Sequence, residues 1–250
     1  MNKTKIDYCD ATWNPISGCL HGCEYCYARR IAERFGNHLI PHEERKTAEI
    51  EIPLMREGKR QPYPFDFYPT FHRYKLDEYK NKEKPRNIFV CSMADLFGSW
   101  VPDSWIQEVF EACAKAPQHR YLFLTKNPKR YAVLKNSGNL PRQENFWYGS
   151  TIDNMNARMF NGGFRYNTFI SAEPLLEKLN VGIGSFGSAK WIIVGAETGN
   201  RKNKVVPQKE WVHVITEAAA LTGMPVFMKE SLRALMGADF RQEYPWEQQP

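Results

Sequence analysis

The chain has 250 residues, of which 42% are hydrophobic and 25% are charged, a composition that excludes a disordered chain and favours a soluble globular enzyme. Its 34 basic and 28 acidic residues give a formal net charge of +6, which suits a phosphate-bearing or nucleic-acid partner but does not require one. Because no apolar stretch is long enough to span a membrane and the start lacks a signal-peptide core, we expect a cytoplasmic protein. Six cysteines in such a chain favour metal binding or buried thiols over disulfides.

Short β-branched and aromatic runs predict strands along the chain. The first strand is predicted near 11–16 and the first helix at 25–35. Six more strands are predicted at 87–91, 120–124, 146–150, 168–171, 191–195 and 225–228, each followed by a helical stretch, of which 102–116 and 207–221 are the clearest. The runs are continuously apolar, which is typical of parallel strands buried on both faces. Seven strands in this order predict an α/β fold, a full or partial (β/α) TIM-like barrel, with a doubly wound sheet as the alternative.

Residues 37–85 break this rhythm and are rich in charge, proline and aromatic residues. We expect one barrel domain over 1–250, into which 37–85 is inserted as a lid-like or substrate-contacting segment. The segment is predicted to form irregular or hairpin structure followed by a short helix near 75–81. Its mixture of bases and aromatics suits the stacking of nucleobases, although a lid would need the same aromatics to bury itself. Within it, His72 is expected to face either substrate or solvent, and the tail 242–250 is expected to be loose.

Three of the six cysteines, Cys19, Cys23 and Cys26, lie on the loop between the first predicted strand and the first predicted helix. Three thiolates can hold three irons of a [4Fe–4S] cluster and leave the fourth iron open to a small molecule. Zinc, with Cys9 or His21 as the fourth ligand, is the alternative, but zinc ribbons usually pair two such knuckles and this chain has one.

This C-x3-C-x2-C spacing, with Tyr25 just before the last cysteine, resembles that of the radical S-adenosylmethionine (SAM) superfamily. Further stretches resemble the phage Gp37/Gp68-type radical SAM proteins: ATWNP at 11–15, RNIFVCSMADLF at 86–97, ISAEPLL at 170–176 and WIIVGAETG at 191–199. The resemblance implies a TIM-like barrel and a [4Fe–4S] cluster on the three cysteines, with SAM bound at the open iron and Tyr25 near its adenine. It also implies an external one-electron donor, such as flavodoxin or ferredoxin, and a 5′-deoxyadenosyl radical that abstracts hydrogen from a substrate.

Polar residues follow the predicted strands, at the end where a barrel places its active site. The set consists of Ser92, Asp95, Lys126, Ser150, Asp153, Glu173, Gly195, Glu197 and Lys229. The resemblance assigns Ser92 and Asp95 to the methionine amino group of SAM, although the usual Gly-Gly-Glu is here Ser-Met-Ala-Asp. It places Ser150 and Asp153 near the ribose or carboxylate of SAM, and the backbone at Gly195 and Glu197 near the adenine.

We predict that Glu173, Lys229 and Lys126 are catalytic groups at this end of the barrel. Simpler interpretations stay open for several of the strand-end residues. Asp95 and Asp153 are also good helix N-caps, and Lys126 is also explained as a solvated loop charge.

Three functions are therefore open. The leading one is a radical SAM enzyme that acts on a nucleotide or nucleic acid. The second is a radical SAM enzyme that acts on a peptide or protein, which the lack of a cysteine-rich extension disfavours. The third is a non-catalytic zinc or iron–sulfur module that recognises nucleic acid, which the many strand-end acids disfavour.

Overall fold

The computed structural model describes residues 2–36, 48–78, 80 and 82–247. The strands are β1 (Asn2–Lys3), β2 (Ala11–Trp13), β3 (Ile16–Ser17), β4 (Ala48–Ile50), β5 (Met55–Arg56), β6 (Lys59–Arg60), β7 (Thr70–His72), β8 (Asn87–Val90), β9 (Arg120–Thr125), β10 (Phe146–Thr151), β11 (Asn167–Ala172), β12 (Ile192–Val194) and β13 (Val226–Met228). The helices are α1 (Tyr27–Phe35), α2 (Asp103–Ala114), α3 (Pro128–Asn136), α4 (Lys209–Ala220) and α5 (Arg233–Met236). None of the helices in this part of the chain has the length and apolar character that a membrane crossing requires.

The chain divides into two compact units, of which the first comprises Met1–Thr125 and Leu134–Pro141. In this unit β2, β8 and β9 are parallel neighbours, and β1 pairs antiparallel with β2. Helix α2 buries its apolar face, and Phe110 on that face contacts Phe123 of β9 with ring centroids 5.3 Å apart. The burial of the strands on both faces explains their continuous apolar sequence.

The described part of the predicted insertion lies in the first unit. There β7 pairs with β3 and β4, while β5 and β6 form a short hairpin. Strand β7 is fully buried, and its Phe71 packs 5.1 Å from Trp105 of α2. Beyond β7 the chain forms a 3₁₀ turn, Arg73–Lys75. Residues 37–47 of the insertion and positions 79 and 81 of the predicted helix lie outside the described residues.

His72 of β7 does not face solvent. It is completely buried, and its Nε2 lies 2.8 Å from the hydroxyl of Ser17 on β3. Burial lowers the pKa of His72 to about 3, and the charges of Lys75 and Arg60 act in the same direction. The imidazole is therefore a neutral part of the core, and solvent exposure is ruled out.

The second unit comprises Lys126–Val133 and Arg142–Pro250. It contains the parallel strands β10, β11, β12 and β13 in that order. One face of these strands packs against α4, where Ile170, Ile192 and Val226 meet Val212 and Ile215 in one apolar cluster.

The other face of the second unit carries an aromatic group around Trp191. Its ring packs against Phe227 and against Tyr244 and Trp246 of the tail, with centroid separations of 6.1, 5.8 and 5.2 Å. The expected loose tail is therefore wrong for the described residues 242–247, because the two partly buried aromatics pack against the buried Trp191. Residues 248–250 lie outside the described part of the chain.

The expectation of a helix after every strand is wrong at two connections. Residues 152–166 and 173–191 are fully described and contain turns and one 3₁₀ helix, Gly163–Arg165, but no α-helix. The first connection is rich in asparagine and glycine, and the second contains a proline and three glycines, residues that favour turns over helix.

Candidate functional site

The three-cysteine loop connects β3 to α1 in the first unit. Cys19, Cys23 and Cys26 are partly exposed, and none of the three is in a disulfide. Cys26 is the N-cap of α1, and its sulfur accepts a hydrogen bond from the backbone N–H of Arg29 at 3.4 Å. Tyr25 is partly exposed beside it. The loop therefore presents three sulfur donors and one aromatic ring within a short stretch of chain.

The surroundings of Cys19 disfavour the negatively charged form of its thiol. Burial raises the pKa of the Cys19 thiol to about 12, while a hydrogen bond from the backbone N–H of His21 acts in the opposite direction. The negative charges of Asp95, Cys23 and Cys26 raise the pKa further. A thiolate in this setting needs a cation beside it, and the irons of a cluster supply that charge. The number and type of donors thus fit a cluster held by three thiolates.

The described ranges contain no group of three or more His, Cys, Asp or Glu side chains arranged to hold a metal ion. Of the fourth zinc ligands considered from the sequence, Cys9 directs its thiol to the carbonyl of Ile6 at 3.8 Å, and His21 places its Nε2 against Asp95.

The loop begins at a glycine that the structure requires. Gly18 has φ +85°, and a Cβ atom there would lie 2.1 Å from the carbonyl oxygen of Tyr68. Its N–H donates to the carbonyl of Met93 at 2.9 Å, and the N–H of Cys19 donates to the carbonyl of Phe67 at 3.1 Å. Backbone bonds therefore fix the start of the loop.

The strand-end residues after β8 lie beside this loop. Asp95 is buried, and its carboxylate accepts hydrogen bonds from Thr125 and from the backbone of Phe97, while His21 lies 2.7 Å away. The hydroxyl of Ser92 donates to Asn14 at 3.2 Å. Both side chains thus bond to other groups of the chain, and their expected contact with the methionine amino group stays a prediction.

Four of the predicted residues form one row at the carboxyl ends of the strands in the second unit. Thr151, Ser171, Ile193 and Phe227 are register partners across β10 to β13, and the residues two positions later come just past the ends of these strands. These later residues are Asp153, Glu173, Gly195 and Lys229. Of them, Glu173, Gly195 and Lys229 lie directly beside one another. The sequence prediction of a shared edge thus agrees with the register within this unit.

The row contains two ion pairs. Lys126 reaches Asp153 with Nζ 2.5 Å from Oδ2, and Lys229 pairs with Glu173. The side chains of Glu173 and Lys229 are only 21% and 14% exposed. A Cβ atom at Gly195 would lie 2.9 Å from Lys229 Cδ and 3.1 Å from Glu173 Cγ. The glycine therefore leaves room for the second pair to close.

Ser171 lies in β11, two positions before Glu173, and it is completely buried. Within the described residues its hydroxyl has no hydrogen-bond partner. The position of Ser171 at the end of an apolar run was visible in the sequence, but its lack of a partner was not.

Ser150 does not line the row. It alternates with Thr151 on β10 and therefore points to the other face, where its hydroxyl accepts a hydrogen bond from the N–H of Phe160 at 2.9 Å. The hydroxyl of Ser150 thus anchors the connection that follows β10, and its expected contact with SAM stays a prediction.

The two residues expected near the adenine follow β12, and that expectation stays a prediction. The N–H of Gly195 donates to Ala172 and its carbonyl accepts from Leu175, so both backbone groups are used within the unit. Glu197 is buried, and its two carboxylate oxygens each lie 2.7 Å from nitrogens of Arg201. Arg201 was not predicted, although its i,i+4 spacing from Glu197 was a usable signal.

Comparisons with known proteins complete this description. The chain matches the model of the family described as "Protein of unknown function (DUF5131)" over residues 3–234. It is similar to the solved structure of spore photoproduct lyase complexed with dinucleoside spore photoproduct, with 10% identity, a TM-score of 0.52 and coverage of 91% of this chain and 79% of that chain. A mutant of that lyase with dinucleoside spore photoproduct gives the same four values. A search of the curated proteins finds no match.

At this level of identity the similarity bears on the fold. It confirms the α/β class and the partial (β/α) barrel predicted from the order of the strands, and it disfavours the doubly wound alternative.

Proposed function

We propose that this chain, which belongs to the DUF5131 family of proteins of unknown function, is a radical SAM enzyme that acts on a nucleotide or nucleic acid. The observation that carries the proposal is the place of the three-cysteine loop, which is bonded to residues at the carboxyl end of β8. Barrel enzymes bind their ligands at this end of their strands. The same sequence blocks that resemble the phage Gp37/Gp68-type proteins support the superfamily.

In this proposal Cys19, Cys23 and Cys26 hold a [4Fe–4S] cluster. When bound, the cluster would accept one electron from an external donor such as flavodoxin or ferredoxin and would cleave SAM, so that a 5′-deoxyadenosyl radical forms. The chain's own contribution is to hold the three sulfurs on one loop and to leave the fourth iron position without a protein ligand. The free cysteines suit the reducing cytoplasm.

The charged row of the second unit is proposed to serve SAM and the substrate. Asp153 is assigned to the ribose or carboxylate of SAM. Tyr25 of the cysteine loop is assigned to the adenine. Glu173, Lys229 and Lys126 are assigned to the substrate, because each is a partly buried charge held by a partner of opposite sign. Such charges keep a defined position and interact strongly with polar ligand groups.

The substrate class rests on two supports. The chain has a net charge of +6, which favours anionic partners. Spore photoproduct lyase, which shares its fold, has been solved in complex with a dinucleoside spore photoproduct.

Anaerobic reconstitution tests the proposal. The protein is loaded with iron and sulfide, its absorbance and iron content are measured, and dithionite and SAM are added. We expect cluster absorbance and 5′-deoxyadenosine from the wild type, and neither from Cys23→Ala. Cys9→Ala, which removes another partly exposed cysteine, serves as the matched control and is expected to behave as the wild type. A wild type that forms no 5′-deoxyadenosine above the Cys23→Ala background would contradict the proposal.

Binding to oligonucleotides tests the substrate class. If phosphates are recognised, affinity should fall steeply as salt is added. Failure of both oligonucleotides and mononucleotides to bind at low salt would remove the nucleic-acid assignment and leave the radical chemistry untouched.

A further inference from the structure

The side chain of His21, which lies between two of the three cysteines, is held from two sides. Its Nε2 atom is 2.7 Å from Oδ2 of Asp95. Its ring also packs edge-on against Trp100, with ring centroids 4.8 Å apart. His21 and Asp95 are 74 positions apart in sequence, so this contact joins the cysteine loop to the end of a different strand.

The carboxylate of Asp95 is itself fixed. It is only 5% exposed, and the hydroxyl of Thr125 lies 2.7 Å from Oδ1 and 2.9 Å from Oδ2. The backbone N–H of Phe97 donates to Oδ1 at 3.0 Å. A buried carboxylate with several donors has little freedom to reorient, and it presents a rigid acceptor to His21.

Two further bonds tie the loop to the same segment, residues 92–95. Before the cysteines, the N–H of Gly18 donates to the carbonyl of Met93 at 2.9 Å. After them, the hydroxyl of Tyr27 donates to the carbonyl of Ser92 at 2.9 Å. The bond between His21 and Asp95 lies between these two, so the segment contacts the loop at its start, middle and end.

We infer that Asp95 is a positioning residue, which holds the three-cysteine loop in place through His21. Thr125 keeps the carboxylate of Asp95 oriented for this task. Segment 92–95 is where the superfamily resemblance places the methionine amino group of SAM, and in this chain its polar groups support the cysteine loop instead. The relevance of this task to a cluster rests on the proposed function, whereas the support of the loop does not.

The position of His21 also bears on a cysteine sulfur. The backbone N–H of His21 donates a hydrogen bond to Cys19. Hydrogen bonds to cluster sulfurs contribute to the reduction potential, because an N–H dipole stabilises the more negative, reduced cluster. Mutation of a residue that hydrogen-bonds to a metal ligand typically lowers metal affinity by about 10- to 100-fold. Displacement of His21 should therefore affect both access to Cys19 and the potential of a bound cluster.

Alkylation of the cluster-free protein tests the support of the loop directly. Iodoacetamide labelling of Cys19, Cys23 and Cys26 is followed by mass spectrometry, with Cys9 as the internal reference. We expect labelling of Cys19 to be about tenfold faster in Asp95→Ala, because a charge-assisted hydrogen bond to the loop is lost. Asp95→Asn removes the same negative charge, which by itself lowers the pKa of Cys19 and speeds labelling, but it keeps oxygen and nitrogen atoms that can bond to the same groups. Its labelling should therefore be slower than that of Asp95→Ala, and the difference between the two variants measures the support of the loop.

Two milder variants keep the test decisive if Asp95→Ala does not fold. Thr125→Val removes one donor to Asp95, and His21→Phe removes the link itself while it keeps a ring beside Trp100. Both should label faster at Cys19 than the wild type. Asp239→Ala, which removes an exposed aspartate of the second unit, is the control and should not change the rate. Equal rates at Cys19 in all folded variants would overturn the inference.

In the reconstituted protein, the midpoint potential of the cluster distinguishes this positioning role from a purely structural one. In His21→Phe and Thr125→Val, we expect a midpoint potential more negative than in the wild type, and about tenfold weaker iron retention against a chelator. SAM binding that weakens in Asp95→Asn while the potential stays unchanged would overturn the inference and place Asp95 on SAM. If the wild type assembles no cluster, the proposed function fails, and the alkylation rates still decide whether Asp95 supports the loop.

Discussion

Glu173 and Lys229, which are 56 positions apart, form an ion pair at the carboxyl ends of β11 and β13. The strand between them, β12, is followed directly by Gly195, whose missing side chain leaves the space in which the two stems meet. The pair is mostly buried, so neither charge can be removed without effect on the other.

A double-mutant cycle measures this coupling. Glu173→Gln and Lys229→Met should each lower the free energy of unfolding by about 1–3 kcal/mol, because each leaves the other charge partly buried without its partner. The double variant should be more stable than the sum of the two losses implies. Urea unfolding of the four proteins gives the four values. Strict additivity of the single losses would show that the pair is not coupled.

Two glycines of the cysteine loop form a matched comparison. Gly18 and Gly22 both have positive φ, +85° and +72°, but a Cβ atom at Gly18 would collide with the backbone of Tyr68, whereas at Gly22 nothing lies within 4 Å. Gly22→Ala should cost about 1 kcal/mol for its backbone conformation alone, and Gly18→Ala should cost at least about twice as much. Thermal or urea unfolding checks both. Similar losses in the two variants would mean that the loop moves away from Tyr68 without resistance.

The buried His72 predicts a pH dependence of stability. Its pKa is about 3 in the folded chain and near 6.5 when unfolded, so between these values the unfolded state binds more protons. Stability should therefore fall as pH drops from about 6.5 towards 3, by up to about 1.4 kcal/mol per pH unit from this residue.

His72→Gln isolates that contribution, since glutamine can still bond to the hydroxyl of Ser17. At pH 7.5 the variant should be less stable than the wild type, and the difference should narrow or reverse near pH 4. Unfolding midpoints over this range supply the measurement. Parallel pH profiles for the two proteins would show that His72 takes up its proton without unfolding.

The pair of Glu197 and Arg201 predicts a second pH effect. Hydrogen bonds from Arg201 lower the pKa of Glu197, so the pair stabilises the fold above the usual glutamate range and loses this contribution as pH falls through the lowered pKa. Arg201→Leu should cost about 1–3 kcal/mol at pH 7, because the buried carboxylate keeps its charge without its partner. The cost should shrink at pH 4, where the carboxylate can take up a proton.

Arg233→Leu is the control for that measurement. Arg233 pairs with Glu230 at a similar distance, but both side chains are more than half exposed. Exposed pairs contribute little, so this variant should change the unfolding free energy far less than Arg201→Leu does. Equal effects of the two substitutions would show that burial does not strengthen the Glu197 pair.

The parallel strands could be located from the sequence because each is buried on both faces and is therefore continuously apolar. Helices α2 and α4 were equally visible, since their apolar residues recur at helical spacing on one buried face. The connections after β10 and β11 were missed because turn residues there outweighed the expectation of a regular β/α alternation.

The sequence by itself determined the three-cysteine loop, the order of the strands and the set of polar residues that follow them, because these depend on local spacing and on burial. Only the tertiary structure decided which of those residues share a face. Ser150 lies near the end of β10 and Asp153 follows the strand, yet strand alternation directs Ser150 to Phe160, whereas Asp153 pairs with Lys126. The contact between His21 and Asp95 likewise depends on a pairing across 74 positions that no local pattern encodes. Local sequence thus supplied the chemical groups, and long-range packing determined their partners.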